Sequence, residues 1–580
     1  MKTAKALLAA CAFAAATTAF GGGTPCATSD TPLRKFMWAE LIAFDNSLPD
    51  YGVAEFLSRS TIKPDAISLL LIEAPLFENH VSGGKDFTLP ERVCSYIGRP
   101  YNAERKRQAW TSRQLKGLVA EINSHGVETY ASFFEWGRQD LNEKRNGTDE
   151  PYVDFFIRQT CAFLKDYGFT GLHAADGFAH PRKDLVMRGI PLSSRFSQAE
   201  KWGAFWRKAA SAFKKAGFKT YLNTAWKRDP YEAIVRFGYD YRPVAESEID
   251  GWVVESTSAV DEIEGWNRTE ESSLDKIIAM LLRLSPALRG KEAVLLFGVK
   301  DDLEQYNALY HAPTRAEAES FAAGAVLFDS RRPLRGVMSC LSDAIPAGDW
   351  AKLDSMWKRS FSGEPAKPIG AQVVWSERAF DREVHELPEK GMASSSTLLA
   401  GLIHKGAVVG GSISLSAALA DVSIPLVVLN PGTFPAEEIA ALEQGRGGKI
   451  VKFGYGLDEF TEHPVSEPPK NWLFPLVESR PSHAAFERAA KAINEFSPVV
   501  PAPGTSDVCI SGFEYANGDM HIVARSNRGV YCNAEIAVRR PVAAVDILSG
   551  YPSMPVKPAE TLRAKIPPSG VVALRISIAH

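Results

Sequence analysis

Leu164-Lys165-Asp166-Tyr167-Gly168-Phe169-Thr170-Gly171-Leu172-His173-Ala174-Ala175-Asp176 reads as the end of one element and the whole of the next. An amphipathic helix runs out at Tyr167. Gly168 stands where a helix C-terminus calls for positive φ, and a short apolar strand follows, ending on a histidine and an aspartate. The same phrase recurs from Ile122 to Phe133 around Gly126 and from Phe213 to Trp226 around Gly217. Working outward, strands are predicted at Phe36 to Ile42, Ala66 to Ile72, Val127 to Phe134, Phe169 to Ala175, Phe218 to Thr224, Gly251 to Ser256, Ala293 to Gly298 and Gly336 to Leu341. Eight strands alternating with helices between Leu33 and Phe361 predict an α/β fold, a (β/α)8 TIM barrel. Their near-continuous apolar character suits a sheet covered on both faces. An open doubly wound sheet is the competing arrangement, because periodicity alone does not close a barrel.

Beyond Phe361, Pro365 and Pro368 mark a junction. Ala371 to Trp375, Gly406 to Val409 and Pro425 to Leu429 read as strands, and Pro435 to Glu443 as a helix before Ile450-Val451, which suggests a small α/β domain. From Val508, strands at Cys509 to Phe513, Met520 to Ser526, Ala534 to Val538, Thr561 to Ile566 and Val571 to Ile576, separated by Asn517-Gly518 and Ser549-Gly550, suggest a β-sandwich. The expected division is a leader at 1–30, the barrel at 31–363, the small α/β domain at 364–503 and the sandwich at 504–580.

The leader reading rests on Lys2 and Lys5, the Ala-rich apolar run from Ala6 to Phe20, and the small residues Thr17-Thr18-Ala19. That is the layout of a signal peptide, too short for a comfortable membrane span, and it predicts export. Cys11 superficially suggests a lipoprotein box but lies very early. A formal net charge of -3, with 45% hydrophobic and 23% charged residues, gives no sign of a nucleic-acid partner. Cys509 and Cys532, on neighbouring predicted strands, could pair in an oxidising compartment or remain small buried hydrophobes. No HExxH motif, CxxC motif, EF-hand loop or phosphate loop is present, so no metal and no cofactor are expected.

In such barrels chemistry sits on the loops after the C-terminal strand ends. Those positions hold Glu40 and Asp45 after the first strand, Glu73 after the second, Glu135, Trp136 and Arg138 after the third, and His173 and Asp176 after the fourth. Asn223, Trp226, Lys227 and Arg228 follow the fifth strand, Glu255 the sixth, Lys300, Asp301 and Asp302 the seventh, and Asp343 the eighth. His173 with Asp176 would suit proton transfer, since an imidazole titrates near working pH and a carboxylate tunes it. The plainer readings stand beside these. His173 could be a satisfied structural residue, Asp176 a cap, Glu73 a loop ion-pair partner, the arginines surface ion pairs, and the tryptophans interdomain packing.

The order barrel, small α/β domain, sandwich resembles that of the family 42 β-galactosidases, most specifically in Glu514-Tyr515-Ala516-Asn517-Gly518-Asp519, Asp546-Ile547-Leu548-Ser549-Gly550 and Ile566-Pro567-Pro568-Ser569-Gly570. Pro425 to Gly454 resembles their amidotransferase-like domain. That resemblance implies an Asn-Glu pair after the fourth strand; Gly171-Leu172-His173-Ala174-Ala175-Asp176-Gly177 has none. The barrel also resembles the TIM-barrel sialidases of family 156, and the whole chain those of family 181 from mucin-degrading gut bacteria. This second resemblance implies histidine and aspartate chemistry, with His173 and Asp176, or Glu40 or Asp45, as the catalytic set. Sialic acid carries its own carboxylate at the anomeric carbon and repels an attacking anion, so a carboxylate nucleophile is disfavoured.

A bidentate guanidinium would hold that carboxylate; Arg138 and Arg228 are the expected contacts, with Trp136, Trp226 and Trp38 stacking on sugar faces. The expectation is therefore an exported exo-glycosidase acting on oligosaccharides of glycoconjugates, a sialidase first. A neutral-sugar glycosidase with Asp176 as nucleophile, and a non-catalytic carbohydrate-binding protein, are the rivals. A homo-oligomer formed through the middle domain is an expectation from the family 42 resemblance alone.

Overall fold

The computed structural model describes residues 33–46, 52–72, 86–89, 110–134, 149–175, 189–225, 229–256, 272–298, 316–341, 347–462, 479–503, 508–526, 530–550, 555–568 and 570–579. Eight parallel strands close into a barrel: β1 (Arg34–Ala39), β2 (Ala66–Ile72), β3 (Glu128–Phe134), β4 (Gly171–Ala174), β5 (Lys219–Asn223), β6 (Gly251–Ser256), β7 (Glu292–Gly298) and β9 (Gly336–Leu341). Closure is direct, since β9 pairs with β1 from Arg34 opposite Gly336 to Ala39 opposite Leu341. The glycines that punctuate the sequence do cap helices: Gly126, Gly168 and Gly217 have φ of 70°, 80° and 87°. The first strand is shorter than its apolar run implies. It stops at Ala39, and Leu41–Phe44 coils into a 3-10 turn that buries Leu41 and Phe44.

Alternation along the strands sends Phe36, Trp38, Tyr130, Tyr221, Val253, Val294, Leu296 and Met338 into the barrel interior. The opposite faces pack on the surrounding helices, where Tyr152, Phe156, Phe205 and Trp206 of the helices Tyr152–Tyr167 and Leu192–Lys215 form one aromatic cluster. The N-terminal end of the barrel is stoppered by charge. Arg34 donates to Glu128 (3.0 Å) and lies 3.6 Å from Glu292, Lys219 bonds Glu128 (2.6 Å), and the Tyr130 and Tyr221 hydroxyls donate to Glu128 and Glu292. Burial pushes the Glu292 carboxyl up. At Glu128 burial acts the same way, but the Lys219 and Tyr130 hydrogen bonds and the Arg34 charge outweigh it and hold that carboxyl low. Gly251 lets the plug close, because a Cβ there would lie 2.6 Å from the Tyr221 ring.

A second, wholly parallel sheet runs β14 (Ile450–Phe453), β13 (Leu426–Leu429), β11 (Ala371–Trp375), β12 (Val409–Ser414), β8 (Leu327–Phe328). Its edge strand β8 comes from the barrel segment, between β7 and β9, and Asp329 extends the join by accepting from the Ser414 N–H (2.8 Å). The strand expected at Gly406 to Val409 begins at Val409 instead, since Gly406 (φ 81°) turns the chain out of the helix Ser395–His404. At the end of β13, Asn430 adopts φ 48°, a left-handed conformation for a residue with a side chain. Its amide bonds the Ala393 carbonyl, the Ser395 hydroxyl and the Tyr455 N–H, which gives it a structural role.

The small strand β10 (Lys367–Pro368) leaves the barrel for the C-terminal sandwich, and β15 (Phe460–Glu462) with β16 (Ser479–Pro481) makes a separate pair. One sandwich sheet contains β10, β18 (Val508–Glu514), β19 (Met520–Ser526), β23 (Val571–Ile578) and β21 (Val542–Ser549). The other contains β17 (Val499–Pro501), β20 (Cys532–Val538) and β22 (Thr561–Ile566). Cys509 and Cys532 therefore lie on different sheets, both buried, and neither is in a disulfide. The expected adjacency fails because β19 and β10 flank β18 while β17 and β22 flank β20.

The helix Ser273–Ala287 joins all three units. Asp275, in its first turn, is fully buried and accepts from Arg525 of β19 (3.1 Å). Its other oxygen accepts from the Ser272 N–H (3.2 Å) and faces His404 (3.3 Å). Two turns further, Arg283 bonds the buried Glu383 of the second domain (3.0 Å). Among the described residues no helix is long and apolar enough to cross a membrane.

Candidate functional site

The C-terminal mouth of the barrel, opposite the charged plug, carries the polar residues that the strands release from their apolar runs. Glu40 follows β1 directly and is 8% exposed; Glu255, near the end of β6, is equally buried. Asp45 lies fully buried just beyond the 3-10 turn. Side chains of this charge are seldom so withdrawn from water without partners. The Glu255 N–H donates to the Thr224 hydroxyl (3.1 Å), which fastens the end of β6 to that of β5.

His173 and Asn223 point inward from β4 and β5, in the alternation set by Ala175 and Tyr221. Both are buried, and they touch. The His173 Nε2 lies 2.7 Å from Asn223 Oδ1, and its Nδ1 lies 2.9 Å from the Ser68 hydroxyl on β2. Trp38 of β1 meets the imidazole edge-on, with ring centres 5.1 Å apart. Ser132 of β3 stands opposite His173 in register. Its hydroxyl and the Asn223 Nδ2 are buried polar atoms with no hydrogen-bond partner.

The structure thus brings His173 and Asn223 into contact and puts Glu40 and Glu255 at strand ends of the same mouth. Glu73, Glu135, Trp136, Arg138, Asp176, Trp226, Arg228, Lys300 and Asp343 lie outside the described residues. Ser68 and Ser132 escaped the sequence reading. Their signal is a hydroxyl at an inward position of an otherwise apolar strand, in Ala66-Ile67-Ser68-Leu69-Leu70 and Tyr130-Ala131-Ser132-Phe133. Among the described residues no group of histidines, cysteines and carboxylates could hold a metal ion.

Asp229 lies a few residues beyond Asn223, at the start of the helix that follows β5. It caps the helix Pro230–Phe237 by accepting from the Tyr231 (2.8 Å) and Glu232 (3.3 Å) N–H groups. Burial, and secondarily the Glu232 charge, push its carboxyl up to about 7. In the unfolded chain it ionises near 3.8. The folded state therefore keeps a proton that the unfolded state loses. Asp229 contributes its full stability below about pH 4, and that contribution drains away as pH rises to about 7. Asparagine would still accept both N–H groups without the charge. Asp229→Asn is expected to raise stability at pH 8 by about 2–4 kcal/mol and leave it nearly unchanged at pH 4. Paired urea titrations at the two pH values check this, and an equal effect at both would refute the assignment.

No family model matches the chain, and no curated protein matches it. Solved structures similar to it include a chitinase from Chromobacterium violaceum (9% identity, TM-score 0.33, covering 56% of this chain and 98% of that one). An α-amylase from H. orenii is 9% identical, with a TM-score of 0.35 and coverage of 94% and 100%. A class V chitinase from Pseudomonas fluorescens is 12% identical, with a TM-score of 0.33 and coverage of 56% and 100%. At such scores these likenesses carry no inference about substrate or catalytic residues.

Proposed function

We propose that the protein is an exported exo-acting glycoside hydrolase that works at the C-terminal mouth of its barrel, with terminal sialic acid on mucin-type glycans as the leading substrate. The observation that carries the reading is the buried polar wall there: Glu40, just past β1, with Glu255, His173 and Asn223 from strands of the same closed barrel. Hydrolysis at an anomeric carbon needs a proton delivered to the leaving oxygen and a water deprotonated or steered. Glu40, first after β1, is the proton-transfer carboxyl of this reading, with Asp176 after β4 as its counterpart. Glu255 accepts hydrogen bonds from sugar hydroxyls.

The sialic acid preference draws on two features. The Asn-Glu pair of β-galactosidase-like barrels is missing after the fourth strand. Donors without partners, Asn223 Nδ2 and the Ser132 hydroxyl, stand at the mouth, where they suit an oxygen-rich, anionic sugar. Arg138 and Arg228 are the guanidinium partners this substrate would require. Export follows from the leader-like first thirty residues.

The test is a released-sugar assay on mucin O-glycans, with the liberated monosaccharide identified by mass, beside 4-methylumbelliferyl sialoside and neutral aryl galactosides and glucosides. Free sialic acid is the expected product. Turnover of a neutral glycoside alone would replace the sialidase reading with the neutral-sugar one, and glycan binding without turnover would end the enzymatic reading.

A further inference from the structure

We infer that His173 is a positioning residue, one that holds the Asn223 carboxamide as a fixed hydrogen-bond donor toward the glycan and does not itself carry the transferred proton. This role rests on the glycosidase reading above. A chain of hydrogen bonds crosses three strands, from the Ser68 hydroxyl on β2 through the His173 ring on β4 to Asn223 on β5. An amide oxygen only accepts, so the proton in the 2.7 Å contact belongs to His173 Nε2. In the neutral ring Nδ1 is then an acceptor, and the Ser68 hydroxyl, 2.9 Å away, donates to it. Each nitrogen is engaged, and Trp38 closes on the ring from its edge. To take a proton from water, the imidazole would have to give up Ser68.

The far end of the chain is the Asn223 Nδ2, buried and without a partner, though its oxygen is clamped. An amide held by its oxygen cannot flip, so its N–H bonds keep one direction. A buried donor left unmade is costly, and a ligand oxygen that reaches it removes the cost. Ser132, paired in register with His173, adds a second such group on the neighbouring strand. Sugar hydroxyl, ring and carboxylate oxygens are the acceptors that this pair of donors recognises.

The experiment compares His173→Gln, His173→Asn and Asn223→Ala in the full chain, by kcat/KM across pH on the 4-methylumbelliferyl sialoside or neutral aryl glycoside that the wild type hydrolyses. A ¹⁵N-histidine NMR spectrum of the wild type accompanies it, with the His173 signals assigned by their loss in His173→Gln. Glutamine carries an N–H to about where the imidazole Nε2–H lies, whereas asparagine is too short to meet Asn223. His173→Gln is expected to retain kcat/KM within roughly 10-fold with both limbs of the pH profile intact. His173→Asn and Asn223→Ala should each lose roughly 100-fold or more, the scale of a single oriented donor. The ring should appear as the Nε2–H tautomer.

A loss of about 10²–10⁴-fold in His173→Gln together with one pH limb would mark His173 as the acid or base and overturn the inference, as would an Nδ1–H tautomer. Thermal unfolding of each variant separates these outcomes from misfolding. The tautomer is read without substrate, so a wild type inactive on every glycoside sinks the glycosidase reading on its own.

Discussion

Asp275→Ala is expected to be the most destabilising single substitution in the chain outside the apolar core, lowering stability by about 3–5 kcal/mol. Arg525 is 1% exposed, and Asp275 is its only ion-pair partner among the described residues. Alanine would leave a guanidinium sealed from water without the carboxylate that balances its charge. The same change removes the reciprocal cap in which the Ser272 hydroxyl accepts from the Asp275 N–H (3.1 Å) while the Asp275 carboxylate accepts from the Ser272 N–H. That loss adds about 1 kcal/mol. Asp275→Asn keeps the cap without the charge and should fall between wild type and alanine.

The paired change Asp275→Ala with Arg525→Met should cost less than Asp275→Ala alone, because the stranded charge is gone. Urea unfolding followed by tryptophan fluorescence and circular dichroism checks the series. A double variant no better than the single one would mean that the helix cap, not the buried charge, dominates this junction.

The largest expected effect on activity is at Glu40. Glu40→Gln keeps the shape of the side chain and removes its transferable proton, so kcat should fall by about 10²–10⁴-fold with little change in thermal stability. The substrate series identifies the step. If Glu40 protonates the leaving oxygen, the loss should be severe on natural glycans and mild on an aryl glycoside, whose leaving group departs without help. If it activates water, both classes should suffer alike. Glu255→Gln is expected to act mainly on KM, by about 10-fold, as loss of a hydrogen bond to bound sugar would. Retention of more than a tenth of wild-type kcat in Glu40→Gln, on every substrate, removes Glu40 from the chemistry.

The barrel was legible because its strands are apolar runs of four to seven residues separated by helices that end on glycine, and both signals are local. Gly251 to Ser256 and Gly336 to Leu341 were located to the residue. What was not legible is non-local. The two-residue β8 carries no periodicity of its own and becomes a strand only through Gly411 and Ser412 of β12. Strand β21 was missed since it is a sheet edge, largely open to solvent, and its residues 542–549 lack an alternation strong enough to stand out.

The strand-end rule put Glu40, His173, Asn223 and Glu255 at the ends of barrel strands, where they lie, because position along a strand is written in the sequence. The partnership of His173 with Ser68 was not, since it links residues 105 apart through barrel curvature. Aligning the strand starts exposes the N-terminal plug: Arg34, Glu128, Lys219 and Glu292 each open a strand, at the level where inward side chains meet.

The short β8 also bears on how the chain assembles during synthesis. Residues 327–328 leave the ribosome before β9, which seals the barrel, and long before Val409–Ser414, against which they finally lie. Residues 327–328 must therefore wait for a strand partner some eighty residues downstream. Barrel and second domain are in this respect one cooperative unit of biogenesis. A chain cut at the end of the barrel would keep all eight strands yet lose the neighbour that anchors the loop between the last two.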